Sequence, residues 1–477
     1  MDKMTVRLVE ITLQNFKNVE YGNLSLDNTR KAFKASILGL YGQNGSGKTA
    51  LIDALELLKF ALSGSQIPEK FADYIHSDSQ KAALTVAFRI GTAQGDVPFI
   101  YQFSISRVAA APDPMTGTAK SSAYAVELVD ELIRCSIPSG NKEKIGRLID
   151  TRVDEDILFT PIPKLALLTG SDRKTRLELL VAKRLAAQNA SSFVFSKQLL
   201  SVIGKRAAVH QDNQELLRYW QLLSAVAEFG RERLFIINTA NSGLISLNAQ
   251  PLSFQYEENN QRYVGSLLLP LDRPFDLPDQ AVRLVEKLIS KMNIVLVQLI
   301  PGLTIKAKAL SPIVLDGGGT GTRLQLVSLR NGKELPFKNE SEGIKKIVSV
   351  LQLLIVVYNQ KSMTVAIDEL DSGIFEYLLG EILRILSEKG KGQLIFTSHN
   401  LRPLETIDRG FAAFTTTNPK NRYVRLTNVK ENNNLRDVYY RGLMLGGHDD
   451  ALYETTRNAA IAIAFCKADT LCGDIPT

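Results

Sequence analysis

The order of apolar and polar residues divides the chain into a strand-rich beginning, a helical middle and a second strand-rich part. In the beginning, most stretches alternate apolar and polar residues, which is typical of half-buried β-strands. One stretch, Ser36–Leu40, is apolar after its first residue and predicts a short buried strand. The other expected strands are Val6–Phe16, Asn23–Leu26, Ala82–Ile90 and Phe99–Val108. We therefore expect residues 1–110 to form one lobe of an α/β domain.

Helical periodicity dominates the middle of the chain. Apolar residues recur every three or four positions over Arg173–Ala187, Gln214–Phe229 and Gln280–Leu299, which predicts three amphipathic helices. We expect residues 111–300 to be a mainly helical insertion. No heptad pattern persists through the three or four repeats that a coiled coil needs, so long coiled-coil arms are not expected.

Strands return after Pro301. The expected strands are Leu303–Ala307, Ile313–Leu315 and Arg323–Leu329. The glycine-rich stretch Asp316–Thr322 lies between two of them and is typical of a hairpin connection. We expect residues 301–430 to form the second lobe of the domain, and residues 431–477 to be a C-terminal tail or a partner-docking segment.

Composition places the chain among globular proteins. Hydrophobic residues make up 45% and charged residues 22%, which are ordinary values for that class. No apolar run approaches the ~20 residues that span a bilayer, and the first residues lack the apolar core of a secretion signal. The cysteines, Cys135, Cys466 and Cys472, have neither metal-site spacing nor an even disulfide count. We therefore expect a cytoplasmic protein without a membrane partner.

The charge balance is mildly basic, with 57 Lys and Arg against 50 Asp and Glu and a formal net charge of +7. Such an excess is compatible with nucleic-acid contact and does not require it. One predicted helix carries five basic residues: Arg173, Lys174, Arg176, Lys183 and Arg184. A solvated helix face explains this cluster better than a DNA-binding stripe, and DNA stays open as a partner.

Glycine spacing directly after the buried strand predicts a phosphate loop. The stretch fits the pattern G-x4-G-K-[ST], in which glycines let backbone N–H groups surround the α- and β-phosphates of a nucleotide. Lys48 would reach the β- and γ-phosphates, and the Thr49 hydroxyl would hold Mg²⁺. Apolar periodicity over Thr49–Leu58 predicts a helix whose N-terminus faces the anion. The expected nucleotide-binding residues are Gly42, Gln43, Asn44, Gly45, Ser46, Gly47, Lys48 and Thr49.

A second apolar strand, Met363–Ile367, ends in Asp368 and Glu369. After a phosphate loop this is a Walker B pattern. Asp368 would bind Mg²⁺ directly or through water, while Glu369 would orient and deprotonate the attacking water. A third apolar strand ends in His399, 30 residues after Glu369. An imidazole at that place can touch the γ-phosphate and sense its loss.

Between these blocks, Asn339–Lys346 runs into an apolar helix expected over Ile347–Tyr358. Ser341 and Gly343 stand at the start of this helix, where an N-terminus favours anions. A Ser-x-Gly sequence is uninformative by itself. Its position just before the Asp-Glu strand makes it a candidate nucleotide-binding element.

The order of these blocks resembles the ABC-type ATPase head of SMC, RecF and OLD-family (overcoming lysogenization defect) proteins. That order is a phosphate loop, a long insertion, a Ser-x-Gly helix, an Asp-Glu strand and a His strand. The segment Asn15–Lys17, with sequence Asn-Phe-Lys, also looks like the N-terminal segment of that group. The resemblance covers roughly residues 4–110 and 300–415. It implies an α/β fold, a P-loop head with a mixed sheet and a strand-rich lobe, interrupted by a mainly helical insertion.

The resemblance also implies the chemistry and the assembly of that family. Two heads meet head-to-tail and enclose two ATP molecules with Mg²⁺, so Ser341 and Gly343 would complete the γ-phosphate site of a partner subunit. The protein would form a homodimer or a higher oligomer of dimers. It would hydrolyse ATP to ADP and phosphate, with Glu369 and His399 as catalytic residues.

The sequence departs from the family pattern at several positions. Glu340 stands where many members have Leu, and Glu342 replaces the usual first Gly of the signature. Phe375 occupies the place, six residues after the catalytic Glu, where SMC proteins have an Asp. No Gln occurs between Gln102 and Gln188, so the family's Mg²⁺-contacting glutamine is not placed. Slow or partner-dependent hydrolysis follows as an expectation.

The segments outside the ATPase head restrict the number of biological roles that we expect. An OLD nuclease would need a TOPRIM-type domain after His399, where 78 residues follow, so we expect a stand-alone head with a compact insertion. This architecture resembles the ATPase subunits of prokaryotic anti-phage systems of the PARIS, Septu and retron-associated types. It implies control of a separate nuclease or toxin in response to a phage protein or DNA. Two alternatives stay open: a RecF-like DNA-binding ATPase in DNA repair, and a regulatory module that binds ATP with negligible turnover.

Overall fold

A computed structural model describes most of the chain. The residues described are 4–27, 35–109, 124–139, 142–154, 156–239, 243–244, 249–258, 261–316, 318–426, 434–445, 450–454 and 457–471. Among these residues, strands pair into two six-stranded sheets and two smaller ones. Cys135 is buried and Cys466 is exposed, whereas Cys472 lies outside the described residues.

The first six-stranded sheet is antiparallel and builds the strand-rich lobe. Its strands are β1 (Thr5–Phe16), β2 (Val19–Ser25), β4 (Lys81–Thr92), β5 (Gly95–Ala109), β6 (Tyr124–Ser139) and β7 (Lys142–Asp150). They follow the order β2-β1-β4-β5-β6-β7. Val6, Leu8 and Ile11 of β1 are buried. A β-bulge between Leu8 and Glu10 keeps these three on one face although the sequence breaks its alternation there.

The boundary expected at residue 110 is corrected by β6 and β7, which extend this sheet to Asp150. Pairing of β6 with β5 satisfies backbone groups that would otherwise form an open edge. Val126, Leu128 and Ile133 of β6 are buried in the same core as β1. The sheet therefore includes part of the stretch that the sequence assigned to the helical insertion.

The second six-stranded sheet is mixed and lies at the centre of the head. Its strands are β3 (Ser36–Tyr41), β8 (Leu234–Ile237), β15 (Thr364–Ile367), β16 (Gln393–Ser398), β17 (Ala412–Thr415) and β18 (Tyr423–Val424), in the order β18-β17-β3-β16-β15-β8. All pairs are parallel except that of β17 with β18. Every residue of β3, β15, β16 and β17 is buried, which explains their continuous apolar runs.

Helix α1 (Lys48–Ser63) packs between the two large sheets. It is buried along almost its whole length, and its apolar residues share one core with both sheets. A short helix, α2 (Lys70–Asp73), follows. Because α1 starts where β3 ends, its N-terminus lies at the carboxyl edge of the central sheet, which is the usual ligand-binding edge of α/β sheets.

The helical part of the insertion covers residues 162–233. It contains α3 (Ile162–Thr169), α4 (Arg173–Gln188), α5 (Lys197–Val209), α6 (Gln214–Glu228) and a π-helical turn (Phe229–Arg233). The sequence predicted α4 and α6 and missed α3 and α5. Leu179, Ala182 and Ala186 of α4 face the core, while most of its basic residues are exposed.

A buried carboxylate, that of Glu131 in β6, joins the sheet to these helices. Its Oε1 accepts hydrogen bonds from the Tyr101 hydroxyl at 2.7 Å and from Ser192 Oγ. Its Oε2 accepts from the backbone N–H groups of Phe193 at 2.9 Å and Val194 at 3.3 Å. Burial raises the pKa of Glu131 although these bonds act in the opposite direction. The loop before α5 is thereby fixed to the sheet.

Strands also fill the end of the expected insertion, which is a second correction. The elements of this stretch are β9 (Ala249–Glu258), β10 (Gln261–Pro270), β11 (Phe275–Pro278), α7 (Asp279–Leu299), β12 (Leu303–Val314), β13 (Thr320–Arg330) and β14 (Lys333–Pro336). β8 joins the central sheet, and β9 pairs with β10. After helix α7, β12 and β13 form a hairpin at the glycine-rich stretch Asp316–Thr322, as expected.

Helices cover the other side of the central sheet and form a second core. The helices of this half and of the C-terminal part are α8 (Glu342–Asn359), α9 (Glu376–Lys389), α10 (Leu435–Leu445) and α11 (Asn458–Leu471). Residues of α7, α8 and α9 pack together with β15 and β16. Among the helices that the structure describes, none combines the length and the apolar character needed to cross a membrane.

Candidate nucleotide-binding site

The phosphate loop joins β3 to α1 at the carboxyl edge of the central sheet. Gly47, which precedes the helix, has a φ of 94°, a left-handed conformation that favours glycine. A Cβ at Gly42 would lie 1.8 Å from Thr415 Oγ1, so no side chain fits there. Asn44 and Gly45 form the exposed tip of the loop. Packing and backbone conformation thus both require the glycine spacing of the sequence.

Lys48 is the first residue of α1, and its ammonium group lies inside the loop. Its Nζ donates hydrogen bonds to the carbonyl oxygens of Gly42 and Gln43, both at 2.8 Å. Burial lowers the pKa of Lys48, while nearby carboxylates, led by that of Asp368, act in the opposite direction. The loop and the acidic end of β15 are therefore close enough to interact electrostatically within one chain.

The hairpin of β17 and β18 supports the back of the loop. The hydroxyl oxygens of Ser46 and Thr415 lie 2.5 Å apart, and the Tyr423 hydroxyl donates to the carbonyl of Gly47 at 2.9 Å. The side chain of Arg422 packs against Gly47. Sequence reasoning missed these residues, because they carry no motif and lie more than 360 positions from the loop.

The Asn15–Lys17 segment is tied to the helix that follows the loop. Lys17 Nζ forms an ion pair with Asp53 of α1 and lies 3.9 Å from the centroid of the Tyr74 ring. The amide of Asn18 donates to the carbonyl of Gly45. The strand-rich lobe thereby holds both α1 and the tip of the loop.

Asp368 and Glu369 follow β15, and the hydroxyl of Thr397 in β16 connects them. Thr397 Oγ1 donates to Asp368 Oδ1 at 2.5 Å and accepts from the backbone N–H of Glu369 at 2.8 Å. Asp368 is fully buried. Glu369 has a φ of 48°, an uncommon conformation for a residue with a side chain. Sequence reasoning named both acids and missed Thr397.

The acidic strand end suits a divalent cation. Within the described residues, Asp368 Oδ2 is buried without a hydrogen-bond partner, which is costly unless water or a ligand takes up that oxygen. Mg²⁺ prefers oxygen donors and usually combines one or two carboxylates with phosphate oxygens. Across the described part of the chain, no group of three or more His, Cys, Asp or Glu side chains could hold a metal alone. The donor set therefore fits a cation that arrives with a nucleotide.

His399 follows β16 and is exposed at the same edge of the sheet. Its backbone N–H and that of Asn400 donate to Asp371 Oδ2, at 3.0 Å and 2.8 Å. Asp371 belongs to the turn after β15, so its carboxylate links the turn that carries Glu369 to the turn that carries His399. A third acid two residues after the Asp-Glu pair is the signal that could have found it.

A second buried cation, that of Lys346 in α8, faces the same carboxylates. Lys346 is 3% exposed. Burial lowers its pKa, and Glu369, Asp368 and Asp371 act in the opposite direction, Glu369 most strongly. Lys48 and Lys346 therefore both face the acidic strand end, one from the phosphate loop and one from the helix that begins at Ser341.

Ser341 and Gly343 lie at the start of α8, as the sequence indicated. Ser341 caps the helix by accepting a hydrogen bond from the backbone N–H of Ile344 at 3.4 Å, and it is exposed. A Cβ on Gly343 would lie 2.0 Å from the carbonyl oxygen of Gly373, so the helix start packs tightly on the turn after β15. Among the hydrogen bonds of the described residues, none joins Ser341 to the phosphate loop of its own chain.

In a comparison with models of protein families, residues 37–404 match the family described as "AAA domain, putative AbiEii toxin, Type IV TA system". The matched region begins in β3 and contains the phosphate loop, the Asp-Glu strand and His399. The chain belongs to this AAA-domain family. No curated protein matches the chain.

Solved structures to which the chain is similar include two SMC head domains and a recombination mediator. The Smc head domain with an extended coiled coil bound to the C-terminal domain of ScpA, from Pyrococcus furiosus, is 13% identical, with 88% of this chain and 96% of that chain covered and a TM-score of 0.37. The SMC head domain from Thermotoga maritima is 12% identical, with coverages of 88% and 99% and a TM-score of 0.36. The recombination mediator RecF with ATP is 12% identical, with coverages of 83% and 94% and a TM-score of 0.32.

Membership of the AAA-domain family confirms the expectation, drawn from the sequence, of an ATPase. The fold is α/β with mixed sheets, and the protein is an ATPase that binds ATP. The loop of β3 and α1 supplies the features of a phosphate site: an inward lysine, left-handed glycines and a helix N-terminus.

Proposed function

We propose that this AAA-domain protein is the ATP-binding and ATP-hydrolysing subunit of a prokaryotic anti-phage defence complex, in which it controls a separate nuclease or toxin. The observation that carries the proposal is the family match, whose description associates this AAA domain with a type IV toxin–antitoxin system. The compact insertion supports it, since a head without long arms suits a switch better than a mechanical clamp. A phage protein or phage DNA would be the trigger.

In the proposed reaction, Thr49 and Asp368 would hold Mg²⁺, and the ion would neutralise charge on the phosphates. Glu369 orients and deprotonates the attacking water, and His399 responds to the γ-phosphate. The unpartnered Oδ2 of Asp368 supports the assignment of a cation there. Gly42 to Thr49 surround the phosphates, with Lys48 exchanging its two carbonyl partners for phosphate oxygens.

The proposed assembly is a head-to-tail dimer, or a higher oligomer of dimers, that encloses two ATP molecules. Support comes from Ser341, which is exposed at a helix N-terminus and forms no described bond to its own phosphate loop. A helix N-terminus attracts the negative charge of a phosphate. In the dimer, Ser341 and Gly343 of one subunit would close the site of the other.

The test is protection of a bacterial host against phage by the gene together with its native neighbours. Lys48→Ala removes a cation that contacts phosphate and should weaken ATP binding at least about 10-fold and abolish protection. Lys197→Ala is the matched control, because Lys197 is also the first residue of a helix but is exposed. Protection that is absent with the native genes would refute the defence role, and protection that persists in the Lys48→Ala host would refute its dependence on ATP binding by this protein.

A RecF-like DNA-binding ATPase is the second candidate, favoured by one observation. Arg173, Lys174, Arg176 and Arg184 are exposed on α4, so this helix can contact phosphates of a nucleic acid. A DNA-binding role predicts an affinity for duplex DNA that falls steeply with salt, because each neutralised phosphate releases counterions. Reversal of Arg173 and Lys174 to Glu should then reduce the salt slope; an unchanged slope would exclude α4 as the contact.

A further inference from the structure

The C-terminal helix α11 has no cover in the described structure. It contains 14 residues, Asn458–Leu471, and every side chain from Asn458 to Ala468 is exposed. Most of these residues are apolar: Ala459, Ala460, Ile461, Ala462, Ile463, Ala464, Phe465 and Ala468. Phe465 is 75% exposed and Ile463 is 57% exposed. The apolar residues run consecutively, so they surround the helix instead of forming one stripe.

Such a helix is not expected to remain uncovered. A helix of this length is only marginally stable in water without packing, and a helix that is apolar all round is normally buried. Contiguous exposed apolar surface marks sites of protein–protein contact. We therefore expect a partner to enclose the exposed apolar surface of α11.

The shape of the exposed surface selects the kind of partner. A helix of 14 residues is about 21 Å long and about 10 Å wide, which gives a cylinder of about 660 Å². A partner that wraps it buries almost the ~800 Å² per side of a standard interface. Pairing with the α11 of a second copy would cover one face, less than about half of that area. Lys467 and Asp469 are the only charged residues of α11, so the groove that fits it is apolar and nearly uncharged.

The segment just before α11 is bound to the nucleotide site. The backbone N–H of Glu454 donates to Gln43 Oε1 of the phosphate loop at 2.9 Å. The two carboxylate oxygens of Asp450 accept from the amides of Asn418 at 2.7 Å and Asn421 at 2.6 Å. The carbonyl of Ala451 accepts from the backbone N–H of Thr417 at 2.8 Å, and Leu452 is buried.

The distance along the chain keeps α11 near the site. Asn458 comes four positions after Glu454, and a fully extended chain of four steps spans about 14 Å. A protein bound on α11 therefore lies close to the opening of the phosphate loop. Any change in the loop on ATP binding would reach the segment Asp450–Glu454 through Gln43, and by linkage a protein bound on α11 would then alter ATP affinity by the same factor.

We propose that α11 is a docking helix that inserts into an apolar, nearly uncharged groove of a different protein, and that the segment Asp450–Glu454 couples this docking to the nucleotide state. That the docked protein is the effector rests on the function proposed above. The docking and its coupling do not: they follow from the exposure of α11 and from the bonds to Gln43, Asn418 and Asn421.

The first test is the composition of the native complex. The full chain is purified from its natural host, the stoichiometric partner is identified by mass spectrometry, and the two purified proteins are recombined. Phe465→Glu should weaken the complex at least 10-fold. Ile294→Glu is the matched control, because Ile294 is a helical residue of α7 with 72% exposure, and it should leave the complex intact. Equal binding by the two variants, or no stoichiometric partner, would overturn the proposal.

The second test uses the exposed thiol of Cys466 in α11 as a probe. In a Cys472→Ser chain, N-ethylmaleimide should react quickly with Cys466 in the isolated protein and at least 10-fold more slowly in the complex. Slow labelling of the isolated chain that speeds up on dilution would show that a second copy covers α11. Slow labelling at every dilution would show that its own chain does. Either result, or equal labelling in the complex, would overturn the docking role.

The coupling is tested by labelling the complex with and without ATP. ATP should change the protection of Cys466 several-fold, and Lys48→Ala, which weakens ATP binding, should remove that change at an ATP concentration that saturates only the wild type. Asp450→Ala should also remove it, because it releases the segment, while leaving ATP binding in place. If the protection of Cys466 is the same with and without ATP, the proposed coupling is wrong. A complex that forms and responds to ATP without any effect on phage would instead refute only the defence function.

Discussion

At the scale of single residues, one hydroxyl connects the two acids at the end of β15. Thr397 donates to Asp368 and accepts from the backbone N–H of Glu369. The left-handed backbone of Glu369 costs conformational energy, and such conformations persist where the surroundings fix them. Thr397 thus orients the proposed magnesium ligand and helps to hold the proposed base.

Thr397→Val keeps the shape of the side chain and removes both hydrogen bonds. We expect the rate of ATP hydrolysis to fall about 10- to 100-fold, as is usual when a residue that orients a metal ligand is lost, with a smaller effect on ATP affinity. Steady-state turnover and nucleotide titration check this. Thr364→Val is the matched control, since Thr364 is equally buried in β15 but bonds to Gln393. Equal losses in the two variants would contradict the orienting role.

Glu369→Gln keeps the size of the proposed base and removes its capacity to take a proton. We expect turnover to fall about 10²- to 10⁴-fold while ATP remains bound, so that ATP-bound oligomers accumulate. Single-turnover hydrolysis together with native mass measurement checks this. If turnover is the same in wild type and variant, Glu369 is not the base and the protein works as a binding module.

At the scale of elements, the head depends on contacts between segments that are distant in sequence. The turn after β15 and the turn after β16 are joined by Asp371, which accepts from the backbone of His399 and Asn400. In the same way, Glu131 joins β6 to the loop before α5. Each link uses one carboxylate to satisfy backbone N–H groups that would otherwise be left unbonded.

Glu131→Ala should destabilise the protein, because it leaves the buried N–H groups of Phe193 and Val194 and the Tyr101 hydroxyl without their partner. Leaving such groups unsatisfied costs about 1–3 kcal/mol each, so a loss on the order of 3 kcal/mol is expected. Chemical denaturation measures it. Glu127→Ala, a half-exposed position on the same strand, should change stability by less than about 0.5 kcal/mol. Similar values for both variants would contradict the anchoring role of Glu131.

At the scale of the whole molecule, one chain brings together only part of the expected site. The phosphate loop, Asp368 and Glu369 interact across the central sheet, whereas Ser341 stays exposed at the start of α8. The tight contact of Gly343 with Gly373 fixes the position of that helix start relative to the turn after β15. A partner subunit could therefore meet a preformed surface.

Mixing two inactive variants tests whether the site is shared between subunits. In a dimer of a Lys48→Ala chain with a Ser341→Arg chain, one composite site has both elements intact and the other has neither. We expect each variant alone to be inactive and the mixture to recover up to about a quarter of wild-type turnover per total site, since half of the dimers are mixed and each has one good site. Absence of recovery at any ratio would count against a shared site.

Much of the fold and of the candidate site could be predicted from the sequence, for a local reason. The phosphate loop needs particular residues at fixed spacing because adjacent backbone groups surround one ligand. An apolar run that ends in Asp368 and Glu369 predicts a buried strand and the place where it ends. Helices with a strong apolar face, such as α4 and α6, were also found. The short α3 and α5 were missed, and β6 and β7 were placed in the insertion, since whether a stretch adds to a sheet depends on the edge that is available.

The amino-acid sequence by itself determined the class of the domain, the order of its blocks and the residues that can surround a triphosphate. Only the tertiary structure decided which residues support them. Thr397 bonds to both Asp368 and Glu369, and Asp371 accepts from the backbone of His399. Lys346 faces Glu369, and Glu454 donates to Gln43, 411 positions away. The physical reason is that a motif records chemistry between neighbours in the chain. Hydrogen bonds and ion pairs between distant segments depend on how sheets and helices pack, and of these residues only Asp371, a third acid close to the Asp-Glu pair, has a local signal in the sequence.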